Sequence, residues 1–172
     1  MVYGDYDVDG TTAVALVYKY LSNFYSNIDY FIPTRYEEGY GISSDIIDDF
    51  AGQGVKLVII LDCGIKANEE IAHAREHGID FIICDHHVPD QELPEAVAIL
   101  NPKMPGSTYP CPHLSGCGVG YKLMQAFAIS NGIQQNELEG MLDLVAVSIA
   151  ADIVPMVDEN RIMAFYGLRR LN

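Results

Sequence analysis

Three short acidic motifs, each at the end of an apolar run, constrain the fold of this chain more than any other feature. The motifs read Asp-Tyr-Asp-Val-Asp-Gly at 5–10, Leu-Asp-Cys-Gly at 61–64 and Cys-Asp-His-His at 84–87. Short apolar runs bounded by turn residues are typical of buried parallel strands. Ligand sites in open α/β sheets lie outside the carboxyl ends of such strands. The three motifs are therefore expected to meet at one edge of a sheet.

Carboxylates gathered beside imidazoles at one edge repel one another unless bound cations offset their negative charge. The pattern predicts a metal centre and favours a two-metal phosphoesterase. A plain calcium loop or turn is the alternative interpretation of the Asp-x-Asp-x-Asp-Gly run. An EF-hand loop would need a glutamate at the twelfth position from Asp5, where this chain has Leu16.

Composition restricts the class of protein. A chain of 172 residues is expected to form one domain. Its net charge of −14 disfavours a tight grip on long duplex DNA but is compatible with phosphodiester chemistry at a metal centre. Apolar runs too short for a membrane span, and no signal peptide before the first strand, predict a protein without a membrane segment.

The cysteines favour a cytoplasmic location. Four cysteines without a CxxC pair indicate reduced thiols. A zinc site formed by Cys111, His113 and Cys117 is an alternative, although its spacing fits no common zinc motif. His73 and His77 are expected on the surface of a helix, and His113 is expected to be structural.

Strand and helix patterns alternate along the chain. Strands are predicted at 2–4, 28–33, 56–61, 81–84 and 97–100, and helices at 11–24, 44–50, 67–76, 118–130, 135–151 and 159–171. Parallel strands joined by helices imply right-handed crossovers. The predicted fold class is α/β, with a doubly wound, mostly parallel sheet flanked by helices and a helical C-terminal part.

Further motifs follow in order along the chain. They are Arg-Tyr-Glu-Glu-Gly-Tyr-Gly at 35–41, Asn-Pro at 101–102, a glycine-rich run at 116–123, and Asp-Leu-Val-Ala at 143–146 leading to Ala-Asp-Ile-Val-Pro at 151–155. Together with the Asp-His-His motif at 85–87, this ordered set resembles the DHH phosphoesterase superfamily. The finer pattern is similar to the RecJ-type exonucleases that are specific for single strands.

The resemblance implies a centre of two ions, Mn²⁺ or Mg²⁺, with a bridging carboxylate from Asp62. The implied metal ligands are Asp5, Asp7, Asp9, Asp62, His86 and Asp152. Asp5 stands in for a histidine that other superfamily members place at the position of Tyr3. Asp143 is the rival of Asp152 for the last ligand position.

The resemblance also implies catalytic residues. His87 would contact the scissile phosphate or help to protonate the leaving group, and Asp85 would orient a neighbouring imidazole. Implied phosphate-binding groups are Arg35 and a helix start formed by Ser115, Gly116 and Gly118. Tyr36 and Tyr40 either stack on a base or pack against their own loop.

By this resemblance, residues 1–172 form one DHH phosphoesterase domain cut from a longer protein, with the lead-in to the first strand and the DHHA1 and OB-fold domains missing. The expected activity is 5′→3′ exonucleolytic hydrolysis of single-stranded DNA in DNA repair and recombination. Two alternatives are a DHH phosphodiesterase that acts on oligoribonucleotides or cyclic dinucleotides, and a non-catalytic DHH scaffold. The intact set of proposed ligands disfavours the scaffold.

Overall fold

A five-stranded parallel sheet forms the centre of the molecule. The computed structural model describes residues 1–34 and 41–171. Its strands are β1 (Val2–Gly4), β2 (Tyr30–Phe31), β3 (Leu57–Leu61), β4 (Asp80–Cys84) and β5 (Ala98–Leu100). They lie in the order β2-β1-β3-β4-β5, and every neighbouring pair is parallel.

Helices cover both faces of this sheet. They are α1 (Val8–Leu21), α2 (Ser44–Gly52), α3 (Asn68–Glu76), α4 (Gly116–Ser130), α5 (Asn136–Glu139), α6 (Leu142–Ala151) and α7 (Asp158–Leu171). Because side chains alternate along a strand, Ile59 and Leu61 pack with the core beneath α1, α4 and α6, whereas Val58 and Ile60 pack with the core beneath α2 and α3. The predicted doubly wound α/β fold is confirmed.

The order of the strands determines where a ligand site can form. After β1 the chain crosses through α1 to β2, and it then returns to the other side of β1 to form β3. The direction of winding changes between β1 and β3, and crevices for ligands open at such switch points. Gly4 pairs with Leu61, and Leu61 pairs with Cys84. The residues that follow, Asp5, Asp62 and Asp85, therefore come together at the carboxyl edge.

Local capping shifts several helix boundaries from their predicted positions. The predicted helix at 135–151 is two helices, because the chain leaves helical geometry at Met141, with φ of −101° and ψ of 11°. Helix α1 begins at Val8 rather than residue 11, since the Asp7 side chain accepts the N–H of Gly10 at 2.9 Å. Helix α4 begins at Gly116, directly after its cap Ser115. Among the described residues, no helix combines the length and apolar character needed to cross a membrane.

Candidate metal centre

Three carboxylates surround the crevice between β1 and β3. Oxygens of Asp5, Asp7 and Asp62 all lie within 4.8 Å of one another. Asp5 and Asp62 are buried, and the Oδ1 atom of each has no hydrogen-bond partner. Asp7 is exposed and caps α1. Buried carboxylate oxygens without donors are costly, so this crevice lacks a counter-charge.

No lysine or arginine supplies that charge within the described residues. The lysines and arginines of the described residues that form ion pairs do so with other acids, namely Asp90, Glu95 and Glu159. Burial therefore raises the pKa of Asp62, and the neighbouring carboxylates Asp9 and Asp7 raise it further. Burial also raises the pKa of Asp5. A divalent cation would relieve both effects.

His86 directs its ring nitrogen Nε2 into the same crevice. Its Nδ1 lies 2.9 Å from the carbonyl oxygen of Leu114, which can only accept, so Nδ1 carries a proton. In the neutral ring Nε2 then has a lone pair, although it lies 3.1 Å from Asp62 Oδ1 and 3.7 Å from Asp9 Oδ2. A lone pair facing two carboxylates is unfavourable unless a cation lies between them. The backbone bond thus orients His86 as metal-bound histidines are usually oriented.

Asp9 differs from its neighbours because donors surround it. Its Oδ1 accepts the N–H of Cys117 and the hydroxyl of Ser148, both at 2.7 Å, and its Oδ2 accepts the N–H of Gly116 at 2.7 Å. Burial raises the pKa of Asp9, and these hydrogen bonds oppose the rise. Oδ2 keeps acceptor capacity toward His86. Asp9 is therefore fixed in place while one oxygen still faces the crevice.

The start of α4 serves a different purpose from the predicted phosphate cradle. The N–H of Gly116 donates to Asp9, the N–H of Gly118 donates to Ser115 Oγ at 3.1 Å, and Ser115 is fully buried. These groups are occupied within the chain, so they are not available to a phosphate in this structure. The helix N-terminus does attract an anion, but that anion is the Asp9 carboxylate.

Two glycines allow the elements of the site to approach closely. A Cβ atom on Gly116 would lie 2.4 Å from Asp62 Oδ1, and one on Gly10 would lie 2.4 Å from the carbonyl oxygen of Asp5. Any larger residue would push α4 or α1 away from the carboxyl edge. The glycines at these positions are explained by contact with the candidate ligands.

Asp85 and His87 form a separate hydrogen-bonded pair. Asp85 Oδ1 lies 2.7 Å from His87 Nδ1 and also accepts the N–H groups of His86 and His87, while its Oδ2 accepts the N–H of Ile65. The hydrogen bond from His87 lowers the pKa of Asp85 against the effect of burial, and the bond to Asp85 raises the pKa of His87. Asp85 thus fixes the half-exposed imidazole of His87.

Position alone leaves two roles for His87. One of its ring nitrogens lies within 4.8 Å of ligand atoms of Asp62 and His86, so its place is compatible with a metal ligand. Its partial exposure and its bond to Asp85 are equally compatible with the predicted contact to substrate. Asp85 itself is fully buried.

Asp152 joins the centre from the end of α6. Its Oδ2 lies 3.7 Å from His86 Nε2, and atoms of Asp152, Asp9 and His86 lie within 4.8 Å of one another. The rival Asp143 accepts a hydrogen bond from the next residue in its own helix and joins no such group among the described residues. The residue after Asp152 is Ile153, whose φ of 56° is unusual for a β-branched side chain.

Several contributors received no role in the reasoning from sequence. Ser148 donates to Asp9, Leu114 orients His86 through its carbonyl oxygen, and the Asn101 side chain donates to the carbonyl oxygen of His87 at 2.9 Å. A signal existed for Ser148, which is a lone hydroxyl in an apolar helix. Backbone contacts such as that of Leu114 leave no trace in residue type.

The remaining predicted groups are the side chains expected to contact phosphate or bases and the alternative zinc site with two cysteines. Arg35, Tyr36 and Tyr40 lie outside the described residues. Within the described part of the chain, the metal-compatible groups include no cysteine, and all four cysteines are buried as free thiols. Cys117 in particular packs inside α4, where its N–H rather than its sulfur contacts the site.

Comparison with models of known families identifies the family of this chain. A model of the DHH family, N-terminal domain, matches residues 1–149. The chain belongs to the DHH family. The matched range includes the Asp-His-His motif at 85–87.

Similar DHH proteins include several single-stranded-DNA-specific exonucleases named RecJ. The chain is 44% identical over 171 residues to the RecJ protein of Bacillus subtilis (strain 168), covering 99% of this chain and 21% of that protein. It is 39% identical over 181 residues to the RecJ protein of Escherichia coli (strain K12), covering 99% of this chain and 31% of that protein. The chain thus spans about a fifth to a third of these relatives.

Solved structures of related proteins share the fold. A crystal structure of exonuclease RecJ bound to manganese superposes with a TM-score of 0.89 at 31% identity, covering 98% of this chain and 42% of that one. A structure of RecJ from Thermus thermophilus in complex with Mn²⁺ gives a TM-score of 0.83 at 27% identity, covering 99% of this chain and 24% of that one.

Proposed function

We propose that this chain is the catalytic part of a metal-dependent phosphodiesterase that removes nucleotides from the 5′ end of single-stranded DNA. The single observation that carries the chemistry is the group of carboxylates around His86 Nε2, in which the buried Oδ1 atom of Asp62 has no hydrogen-bond donor. Asp62 is only 2% exposed, and its Oδ1 has no hydrogen-bond donor and lies 3.1 Å from that nitrogen. Similarity to RecJ exonucleases supports the substrate class.

The residues present fit a pair of Mn²⁺ or Mg²⁺ ions. Carboxylate oxygens with a single imidazole suit Mn²⁺ well and Mg²⁺ acceptably. Asp5, Asp7 and Asp62 would hold one ion, while Asp9, His86 and Asp152 would hold the other, with Asp62 near both groups. When bound, such ions activate a water molecule and neutralise charge on the phosphoryl oxygens. The similarity to RecJ structures bound to manganese supports the choice of ion.

The side chain of His87 would deliver a proton. Asp85 accepts a hydrogen bond from the Nδ1–H group of His87. In the protonated ring, Nε2 is therefore the atom that would act on substrate. The hydrogen bond to Asp85 raises the pKa of His87, which favours the protonated form. From Nε2 that proton would pass to the leaving oxygen of the phosphodiester. This role makes His87 a general acid and Asp85 its positioning residue.

These assignments are tested by the activity of this chain within a protein of the length of its RecJ relatives, the parent-length protein. We expect His86→Ala to lose Mn²⁺ affinity and activity together, because His86 would bind the ion directly. We expect His87→Ala to keep Mn²⁺ affinity and lose most of the rate, by about 10²–10⁴-fold for a general acid. Release of mononucleotides from 5′-labelled single-stranded DNA in Mn²⁺ gives the rate, and equilibrium dialysis gives the affinity. Equal loss of Mn²⁺ in both variants would make His87 a ligand instead.

Substrate length separates the proposed exonuclease from its alternatives. A net charge of −14 leaves few phosphate contacts, so the 172-residue chain alone should bind single-stranded DNA weakly at physiological salt. Any activity of this chain should favour dinucleotides, which need little beyond the metal centre. Submicromolar affinity that rises steeply with oligonucleotide length would contradict that expectation. Cleavage of oligoribonucleotides or cyclic dinucleotides by the parent-length protein, without cleavage of DNA, would replace the proposed substrate.

A further inference from the structure

A second group of metal-compatible side chains lies on the outer helices, away from the aspartate centre. His73 Nε2 lies 2.8 Å from Asp48 Oδ1, and His77 Nε2 lies 3.4 Å from the same oxygen. The three candidate ligand atoms all lie within 4.8 Å of one another. None of these residues takes part in the proposed phosphodiesterase.

The local structure brings the three side chains together. His73 lies in α3 and His77 caps its C-terminus, so the two are four residues apart and share one face of the helix. Their rings lie 4.7 Å apart between centroids. Asp48 projects from α2, which packs beside α3 through the core formed by Ile46, Ile47, Phe50, Ile71 and Ala74. The pair of helices therefore holds the ligands without a long loop.

The contacts leave coordination capacity unused. His73 makes a hydrogen bond with Asp48, whereas the nitrogen of His77 approaches the same oxygen without forming one. All three side chains are partly exposed, from 30% for His73 to 57% for Asp48. An ion could reach them from solvent, and water could fill its remaining positions.

The ligand chemistry differs from that of the aspartate centre. Two imidazoles and one carboxylate favour Zn²⁺, Ni²⁺ or Cu²⁺ over Mn²⁺ and Mg²⁺. We propose that Asp48, His73 and His77 form a second divalent-metal site with this preference, and that a bound Zn²⁺ ion joins α2 to α3. Its geometry is that of a three-ligand site with open positions, as proteins use for zinc.

Chromatography of the untagged protein on an immobilised Ni²⁺ chelate tests the histidine pair. The aspartate centre cannot reach a resin-bound ion, because Asp9, Asp62 and His86 are buried. We expect the native protein to be retained until imidazole is added and the double variant His73→Gln/His77→Asn to elute in the wash. The matched control His113→Gln, which removes another exposed histidine, should be retained like the native protein. Elution of the native protein together with the double variant would overturn the proposal.

Zinc binding in solution tests the complete site. Equilibrium dialysis at pH 7.5 limits proton competition for imidazole. The double variant should bind one Zn²⁺ fewer per chain than the native protein, with unchanged Mn²⁺ binding. Asp48→Asn should weaken that Zn²⁺ site by tenfold or more, and Zn²⁺ should raise the melting temperature of the native protein more than that of the double variant. Circular dichroism shows that each variant is folded. Equal Zn²⁺ stoichiometry in native and double variant would mean that Asp48 only accepts hydrogen bonds there.

Discussion

Two neighbouring carboxylates, Asp9 and Asp62, show opposite environments within one centre. Asp9 accepts hydrogen bonds from Gly116, Cys117 and Ser148. Asp62 is as deeply buried, yet its Oδ1 has no donor, and other carboxylates surround it. The protein itself satisfies the charge of Asp9 and leaves that of Asp62 for a ligand. The comparison shows that a buried carboxylate in this centre is either held by donors of the protein, as Asp9 is, or left without a donor on one oxygen, as Asp62 is.

The largest effect is expected from Asp9→Asn. The N–H of Cys117 donates to Oδ1 of Asp9 and the N–H of Gly116 donates to Oδ2. In either orientation of the asparagine amide, its NH₂ group would therefore face an N–H donor of α4. Losing one hydrogen bond and leaving a buried donor unpaired should lower the free energy of unfolding by about 2–4 kcal/mol. Urea denaturation of the metal-free protein measures this change. An unaltered midpoint would show that the donors around Asp9 do not stabilise the fold.

A somewhat smaller loss is expected from Gly116→Ala, which tests whether the two environments are in contact. The new Cβ would meet Asp62 at 2.4 Å, so α4 must move and the hydrogen bonds to Asp9 must lengthen. Overpacking of this kind costs about 1–3 kcal/mol. The matched control is Gly52→Ala at the end of α2, where a Cβ would contact nothing within 4 Å. Equal denaturation midpoints for the two variants would contradict the close approach.

Asp62→Asn should change stability in the opposite direction from Asp9→Asn. It removes a carboxyl group whose charged form is disfavoured by burial and by neighbouring carboxylates, and asparagine tolerates the left-handed backbone of this position, where φ is 61°. We expect the metal-free variant to gain about 1–2 kcal/mol. Urea denaturation of the metal-free proteins at pH 7 measures it. A loss of stability like that of Asp9→Asn would show that Asp62 has donors of its own.

The same substitution has a defined pH dependence. Because the pKa of Asp62 is raised in the folded chain, the folded native protein binds more protons than the unfolded one above the ordinary carboxyl pKa of about 4. The stability of the native protein therefore falls as the pH rises above about 4 toward the raised pKa of Asp62, which is about 10. The variant has no carboxyl group at this position, so its stability advantage over the native protein should be larger at pH 8 than at pH 5. An advantage that shrinks with rising pH would contradict the direction of the shift.

The smallest effect is expected from Ser148→Ala. Ser148 Oγ lies 2.7 Å from Asp9 Oδ1 and 2.6 Å from Ser115 Oγ. Since a hydroxyl has a single hydrogen, Ser148 donates to the carboxylate and accepts from the hydroxyl of Ser115. Its loss should cost about 1 kcal/mol and weaken Mn²⁺ binding, because Asp9 would be less firmly held. Ser130→Ala, at the exposed end of α4, should stay within about 0.5 kcal/mol of the native protein. The same small change in both variants would show that Ser148 does not help to hold Asp9 in place.

The sequence predicted those parts of the centre that depend on strand order. Asp5, Asp62 and Asp85 each follow a buried apolar run, and parallel strands bring their carboxyl ends to one edge. The use of the α4 start could not be predicted, because a glycine-rich helix N-terminus attracts an external phosphate and an internal carboxylate equally well. Only the packing of α4 against α1 shows that Asp9 occupies it.

The break in the predicted helix at 135–151 could not be predicted from the sequence either. The apolar pattern continues through Gly140 and Met141, although the backbone turns there between α5 and α6. Side-chain periodicity reports which face is buried and does not report such a break. Because α6 begins at Leu142, Ser148 lies on the helix that carries Asp152 at its end. The contribution of Ser148 thus depended on packing between elements that are distant in sequence.

Titration of the metal-free chain with Mn²⁺ tests the central claim most directly, since that claim concerns the unsatisfied charge of Asp62. Calorimetry should show two ions bound per native chain, with an upward shift of the melting temperature. Asp62→Asn should abolish most of this binding although it stabilises the metal-free protein. Mn²⁺ binding of equal affinity and stoichiometry in the native protein and in Asp62→Asn would contradict the account.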